Sequence, residues 1–258
     1  MLVISVLFLF SCSTPGEAET EVKSNAKLLQ SVIETGGAFG SEFCSFNYEN
    51  NLLLKVNYGE KDNFIDRDQF KYEKGKISKI AYEDDALGTN NINDFAYNAN
   101  FEVADVTTIN YVGNSIFYNG IYDNTTFNLN NQKQVISITE NNSLTNEFTY
   151  NNNQIIKQKH FGSGTRSGEY TFIYDEKTNP YYVLYAKFGL LNNSIYPLKY
   201  NNTIYYNFMP NNVTKVYLDG NLLCSFVYQY DNENYPLSVI QYDYTNKETR
   251  QFTYVYSK

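Results

Sequence analysis

The chain is punctuated by aromatic pairs spaced two residues apart. Phe46 and Tyr48, Phe70 and Tyr72, Phe148 and Tyr150, Phe172 and Tyr174, Tyr228 and Tyr230, and Phe252 and Tyr254 are the clear copies, with Phe127 and Leu129 a weaker one. Neighbouring copies mostly fall about 21 to 24 residues apart, a period that points to one repeated supersecondary unit. The steps from Phe70 to Phe127 and from Tyr174 to Tyr230 are more than twice as long, so each is expected to hide a degenerate copy or an insertion. On extended chain, residues two apart share a face, so Phe70 and Tyr72 point one way while Lys71 and Glu73 point the other.

Each unit reads as strand, turn, strand. Phe46-Asn47-Tyr48 passes through Glu49-Asn50-Asn51 into Leu52 to Tyr58, and Phe70-Lys71-Tyr72 passes through Glu73-Lys74-Gly75-Lys76 into Ile77 to Tyr82. Phe148-Thr149-Tyr150 likewise reaches Gln154 to Lys157 through three asparagines. Asn and Gly supply the positive φ that tight hairpins need. Leu28 to Thr35, Phe101 to Tyr111 and Val135 to Thr139 are further strands, and Asp219-Gly220 joins Val213 to Leu218 with Leu222 to Tyr230. The one helix candidate is Tyr181 to Leu191 after Pro180, inside the second long step. One greasy face and one polar face predict an all-β fold. It is a large antiparallel meander of tandem hairpins, curled into an open or partly closed barrel.

Charge and composition narrow the function classes. The 28 Asp and Glu against 20 Lys and Arg leave a formal charge of −8, which argues against nucleic acid because phosphates need clustered cations. With a single His and three Cys, none paired at ligand spacing, zinc sites of the usual kinds are excluded. No metal or cofactor is expected. No apolar run reaches about 18 residues, so no helix is expected to span a bilayer.

Leu2 to Phe10 is apolar apart from Ser5 and runs into Ser11-Cys12, so residues 1–11 read as a signal peptide. The junction resembles the lipobox of bacterial lipoproteins, which implies that Cys12 is acylated. Ser13 to Asn25, with Pro15, Gly16, Glu17, Glu19 and Glu21, has almost nothing to bury, and residues 12–25 read as a solvated tether. The acidic stretch also resembles the surface-export signal of Bacteroidota lipoproteins. Residues 26–258 form a single repeat domain. The address implies the outer membrane, with the protein lipid-anchored at the periplasmic or the cell-surface face.

Three blocks recur within the domain: Tyr174-Asp175-Glu176-Lys177-Thr178-Asn179-Pro180, Asn211-Asn212-Val213-Thr214-Lys215, and Tyr230-Asp231-Asn232-Glu233-Asn234-Tyr235-Pro236. They resemble blocks of Bacteroidota lipoproteins built from YD-type hairpin repeats. That likeness implies a porin-like or curled antiparallel sheet and carries no catalytic residue with it.

No catalytic residue is assigned from the sequence. His160, the only imidazole, has no partner in sequence and reads as a surface hairpin residue. Gly162-Ser163-Gly164-Thr165-Arg166-Ser167-Gly168 has the glycines of an anion cradle but reads as a hairpin tip. Asp84-Asp85 and Asp231-Asn232-Glu233-Asn234 are oxygen-rich turns without the Gly and Glu of an EF-hand. Cys44 and Cys224 are either two buried thiols or, if the sheet curls until their Cα atoms come within about 7 Å, a disulfide. Tyr174, Tyr228 and Tyr230 are the candidate ligand-binding residues, since tyrosine rings stack on sugars and donate to ligands, although cross-strand pairing also accounts for them. The expected function is a monomeric, non-enzymatic binding or structural lipoprotein with a glycan, peptide or envelope partner. The alternative is an envelope hydrolase of polysaccharide, whose paired carboxylates would stand about 5 to 10 Å apart.

Overall fold

A computed structural model describes residues 26–37, 40–60, 63–84, 102–120, 124–162, 167–191 and 204–257. Its strands follow one another up and down. On the first half of the wall are β1 (Leu29–Gly37), β2 (Gly40–Glu49), β3 (Leu52–Glu60), β4 (Asn63–Glu73), β5 (Lys76–Asp84), β6 (Glu102–Val112), β7 (Ser115–Asn119) and β8 (Asn124–Leu129). The second half comprises β9 (Val135–Glu140), β10 (Ser143–Asn151), β11 (Gln154–His160), β12 (Gly168–Thr178), β13 (Asn211–Leu218), β14 (Asn221–Tyr230), β15 (Pro236–Asp243) and β16 (Glu248–Tyr256). Each strand pairs antiparallel with its sequence neighbours, and β1 pairs with β16 from Leu29↔Tyr256 to Thr35↔Gln251. The barrel is therefore fully closed, beyond the open or partly closed sheet read from the sequence. Closure removes both free edges, where unpaired backbone groups would invite association. The number of strands is even, so β1 begins and β16 ends at the same rim.

Two-residue turns set the hairpins. Asn50-Asn51, Lys74-Gly75, Asn141-Asn142 and Asp219-Gly220 each hold positive φ at both positions, as a type I′ turn requires. Just beyond the turns at one rim, six hairpins carry a register shift. Leu53, Ile77, Val135, Ile155, Val213 and Pro236 are each followed three residues later by another buried residue, because one inserted residue lets both point inward. On the other side of the same strands the ladder stops short. The β3–β4 pairing ends at Lys55↔Gln69 while β4 runs on to Glu73, leaving the Leu53 carbonyl beyond the ladder.

A tyrosine closes each gap. Tyr72 donates to the Leu53 carbonyl at 2.9 Å, Tyr111 to Ile77 at 3.0 Å, Tyr150 to Val135 at 2.8 Å, Tyr228 to Val213 at 3.0 Å and Tyr256 to Pro236 at 2.8 Å, and Tyr174 donates to Ile155. All six shifted strands are thus latched by the strand that follows. The first long sequence step holds a degenerate copy, Ile109 and Tyr111 on β6, as expected.

The second long step holds an insertion that fills the barrel. Helix α1 (Pro180–Phe188) starts where predicted, with Asn179 accepting from the Tyr181 amide and Gly189 ending it in the left-handed region. Its Tyr181 packs on Tyr254 of β16 and its Phe188 on Tyr48 of β2, while Phe208, in a 3-10 turn at Tyr206–Phe208, meets Phe127 of β8 and Phe148 of β10. Those strands lie on opposite sides of the ring, so the insertion sits inside it. Leu184, Leu190, Leu191 and Met209 are fully buried, and the insertion plugs the rim where β1 begins and β16 ends.

If the tyrosine latches close the wall, Tyr150→Phe will strand the Val135 carbonyl and cost about 1–2 kcal/mol in chemical denaturation. The buried Tyr48 hydroxyl has no hydrogen-bond partner among the described residues, so Tyr48→Phe is expected to change stability by less than about 0.5 kcal/mol or to raise it. Equal losses for the two variants would refute the latch.

Candidate functional site

Along the strands, inward positions change character from mouth to plug. Asp66 and Asp68 precede Phe70 and Tyr72 on β4, Asn146 precedes Phe148 and Tyr150 on β10, and Arg250 precedes Phe252, Tyr254 and Tyr256 on β16. The aromatic layer grips the plug, and polar groups occupy the wall on the side away from it. Three sets stand out.

Asp68 is 4% exposed, accepts from the Tyr58 hydroxyl at 2.8 Å and has Asp66 as a charged neighbour. Burial, reinforced by Asp66, pushes its carboxyl up to about 6, although the Tyr58 bond favours the ionised form. In the second set, the Asn146 carboxamide oxygen accepts from Gln158 Nε2 at 2.9 Å and lies 3.1 Å from His160 Nδ1. With that oxygen accepting, His160 carries its proton on Nδ1, and burial lowers its affinity for a second one. In the third, Arg250 bridges Glu34 at 3.2 Å and Glu248 at 3.1 Å. Gln241, the cross-strand partner of Arg250, keeps a buried Oε1 with no partner among the described residues.

Several sequence candidates take structural places. His160 belongs to the inward Asn146 and Gln158 set, which corrects its reading as a surface residue; the register shift in β11 turns it inward. Cys44 and Cys224 are both buried thiols, on β2 and β14, and the candidate disulfide between them is not formed. β1, β16 and β15 lie between them, and the barrel wall holds the two sulfurs apart. Tyr174 and Tyr228 spend their hydroxyls on latch carbonyls. Tyr230 donates to Asp175, whose other oxygen accepts from the Lys177 and Asn212 amides, so this Tyr-Asp pair clamps the base of the plug. Asp231 accepts from the amides of Glu233 and Tyr235 and binds Lys27, serving as a turn cap. No group of three or more His, Cys, Asp or Glu arranged to hold a metal occurs among the described residues. Cys12, the rest of residues 1–25, Asp85 and residues 163–166 lie outside the described residues.

Sequence reasoning passed over Asp68, Arg250 and Gln241. The signal was available, because each stands in the same two-residue register as the buried rings of its own strand.

The outer wall is mixed, with Ile136, Ile156, Ile173, Val227, Leu237 and Val255 exposed among polar residues. Asn47, Lys71, Glu147, Lys159, Lys215, Gln229, Gln251 and Thr253 are exposed along the strands. A barrel that crosses a bilayer presents an outward apolar band about 25 Å tall around a polar interior. Here charges interrupt the outer wall, and the interior is aromatic around the plug and polar toward the mouth. No helix among the described residues is long and apolar enough to cross a membrane.

The Asp68 carboxyl makes stability depend on pH. Between about pH 4 and 6 the folded chain holds this proton while the unfolded chain has lost it, so stability falls as pH rises through that window. Asp68→Asn keeps an acceptor for Tyr58 and is expected to raise stability at pH 7 by up to about 3 kcal/mol, with no gain at pH 4. Thermal unfolding across the two pH values checks this; a loss at pH 7 would contradict it.

No family model and no curated protein matches the chain. Among solved structures it is similar to a porin-like protein from Bacteroides vulgatus ATCC 8482, at 12% identity and a TM-score of 0.41, over 90% of this chain and 99% of that one.

Proposed function

We propose that this protein is a non-enzymatic, lipid-tethered barrel of the bacterial outer membrane that stands beside the bilayer rather than in it, and serves there as a binding or structural module. The observation that carries the reading is the wall's two faces: aromatic side chains face in around a plug, and Lys, Glu, Asn and Thr face out between the exposed Ile156, Ile173, Val227 and Val255, so no unbroken apolar band forms. Lysines exposed part-way along strands are expensive in hydrocarbon and cost nothing in water. The plug packs against the inner wall through Tyr181, Phe188 and Phe208, so conduction is not the expected activity. Acylation at Cys12, followed by residues 13–25 as a spacer, supplies the membrane attachment. Membership of the YD-type repeat lipoproteins belongs to the same proposal and is supported by the Tyr174-Asp175 and Tyr230-Asp231 pairs, whose carboxylates fasten the base of the plug and the β14–β15 connection.

The polysaccharide hydrolase remains the second reading because Asp66 and Asp68 pair a charged neighbour with a desolvated carboxyl. Asp68 is almost wholly buried and bonded to Tyr58, which sets that reading behind the first.

Full-length Cys12→Ala is expected to leave the membrane fraction and stay monodisperse without detergent, while the parent chain stays membrane-bound. Neither should raise conductance in planar bilayers. A variant that still needs detergent, or a chain that opens channels, would overturn the proposal.

A further inference from the structure

We infer that the plugged rim faces the lipid surface and the opposite mouth points away from it. This deepens the tethered-barrel reading and rests on it.

The first argument is where the chain enters the wall. Lys27 Nζ is held at 2.7 Å by both Asp231 and Glu233, its amide donates to the Tyr235 hydroxyl at 3.2 Å, and its ammonium lies over the Tyr235 ring. Leu28 and Ser257 exchange hydrogen bonds, and Leu28 and Leu29 are buried. The chain is therefore fastened to the plugged rim from Lys27 onward. Thirteen residues separate Cys12 from Ala26, and their fully extended reach is at most about 45 Å. A wall of strands about nine residues long, tilted as barrel strands are, stands about 20–25 Å high. Turning the mouth to the bilayer would spend about half of that reach on climbing the wall. Facing the plugged rim to it spends none.

The second argument is charge. At the plugged rim, exposed Lys74, Lys76, Lys133 and Lys187 offset Glu49, Glu73, Glu176 and Glu233. Near the mouth, where Asp66, Glu140, Glu169, Asp219 and Glu248 stand, carboxylates outnumber cations about two to one among the described residues. Anionic headgroups repel an acidic end more than a balanced one, so field and tether favour the same orientation.

The test uses the acylated full-length chain in vesicles of phosphatidylethanolamine and phosphatidylglycerol containing a headgroup-nitroxide lipid. One fluorophore is placed by Asn153→Cys in the plugged-rim turn, or by Asn221→Cys beside the mouth turn; native Cys44 and Cys224 are buried and shielded from the label. Quenching several-fold greater at position 153 than at 221 is expected. Equal quenching, or more at 221, while the protein floats with the vesicles would overturn the orientation and leave the tether standing. Failure of the chain to float with the vesicles at all would overturn the tether, and the orientation with it.

Discussion

The fold depends on how a closed ring copes with the six register shifts at its plugged rim. Each inserted residue turns two side chains inward three positions apart, thickening the core where the plug sits, but it also bends the strand away from the next one. A carbonyl then loses its ladder partner, and a buried unpaired carbonyl is costly. The tyrosine from the following strand reaches back and donates to it. The ring packs against the plug and the hydroxyl repairs the wall, so one residue type serves core and backbone together. This explains why the repeating aromatics include so many tyrosines where phenylalanine alone would fill the volume.

From that constraint the distribution of chemistry follows. Rings gather at the rim where these six shifts and their latches lie, and the insertion between β12 and β13 enters at the same rim because both strands end or begin there. The remaining inward positions, nearer the mouth, carry Asp68, Glu34, Arg250, Gln158 and Gln241, residues that a packed aromatic core could not accept. These buried ionic and polar sets are weak grounds for stability. They sit on the inner face of the wall, on the side away from the plug.

Much of this was legible in the residues. The pairs at 46 and 48, 70 and 72, and 148 and 150 announced strands, and Asn-Asn and Asp-Gly announced the turns between them. Pro180 after Asn179 announced the helix. The shifts were harder to see, because Ile77 with Ile80, or Val213 with Val216, breaks strict alternation and reads as noise until the paired strand shows the inserted residue. His160 was misread for that reason: one shift in β11 decides whether it looks out or in. Asp68 was overlooked since a lone carboxylate in an aromatic register looks like an exception rather than a place.

The sequence by itself determined that the chain is a series of antiparallel hairpins with one aromatic and one polar face, because side-chain alternation and turn chemistry are local properties. Only the tertiary structure decided that the aromatic face is the inside of a closed ring, that residues 180–188 and 206–208 fill it, and that Cys44 and Cys224 stay apart. Closure, filling and separation are set by contacts between residues far apart in the chain, such as Leu29 with Tyr256 or Phe127 with Phe208, and no local pattern encodes which distant partner a face will meet.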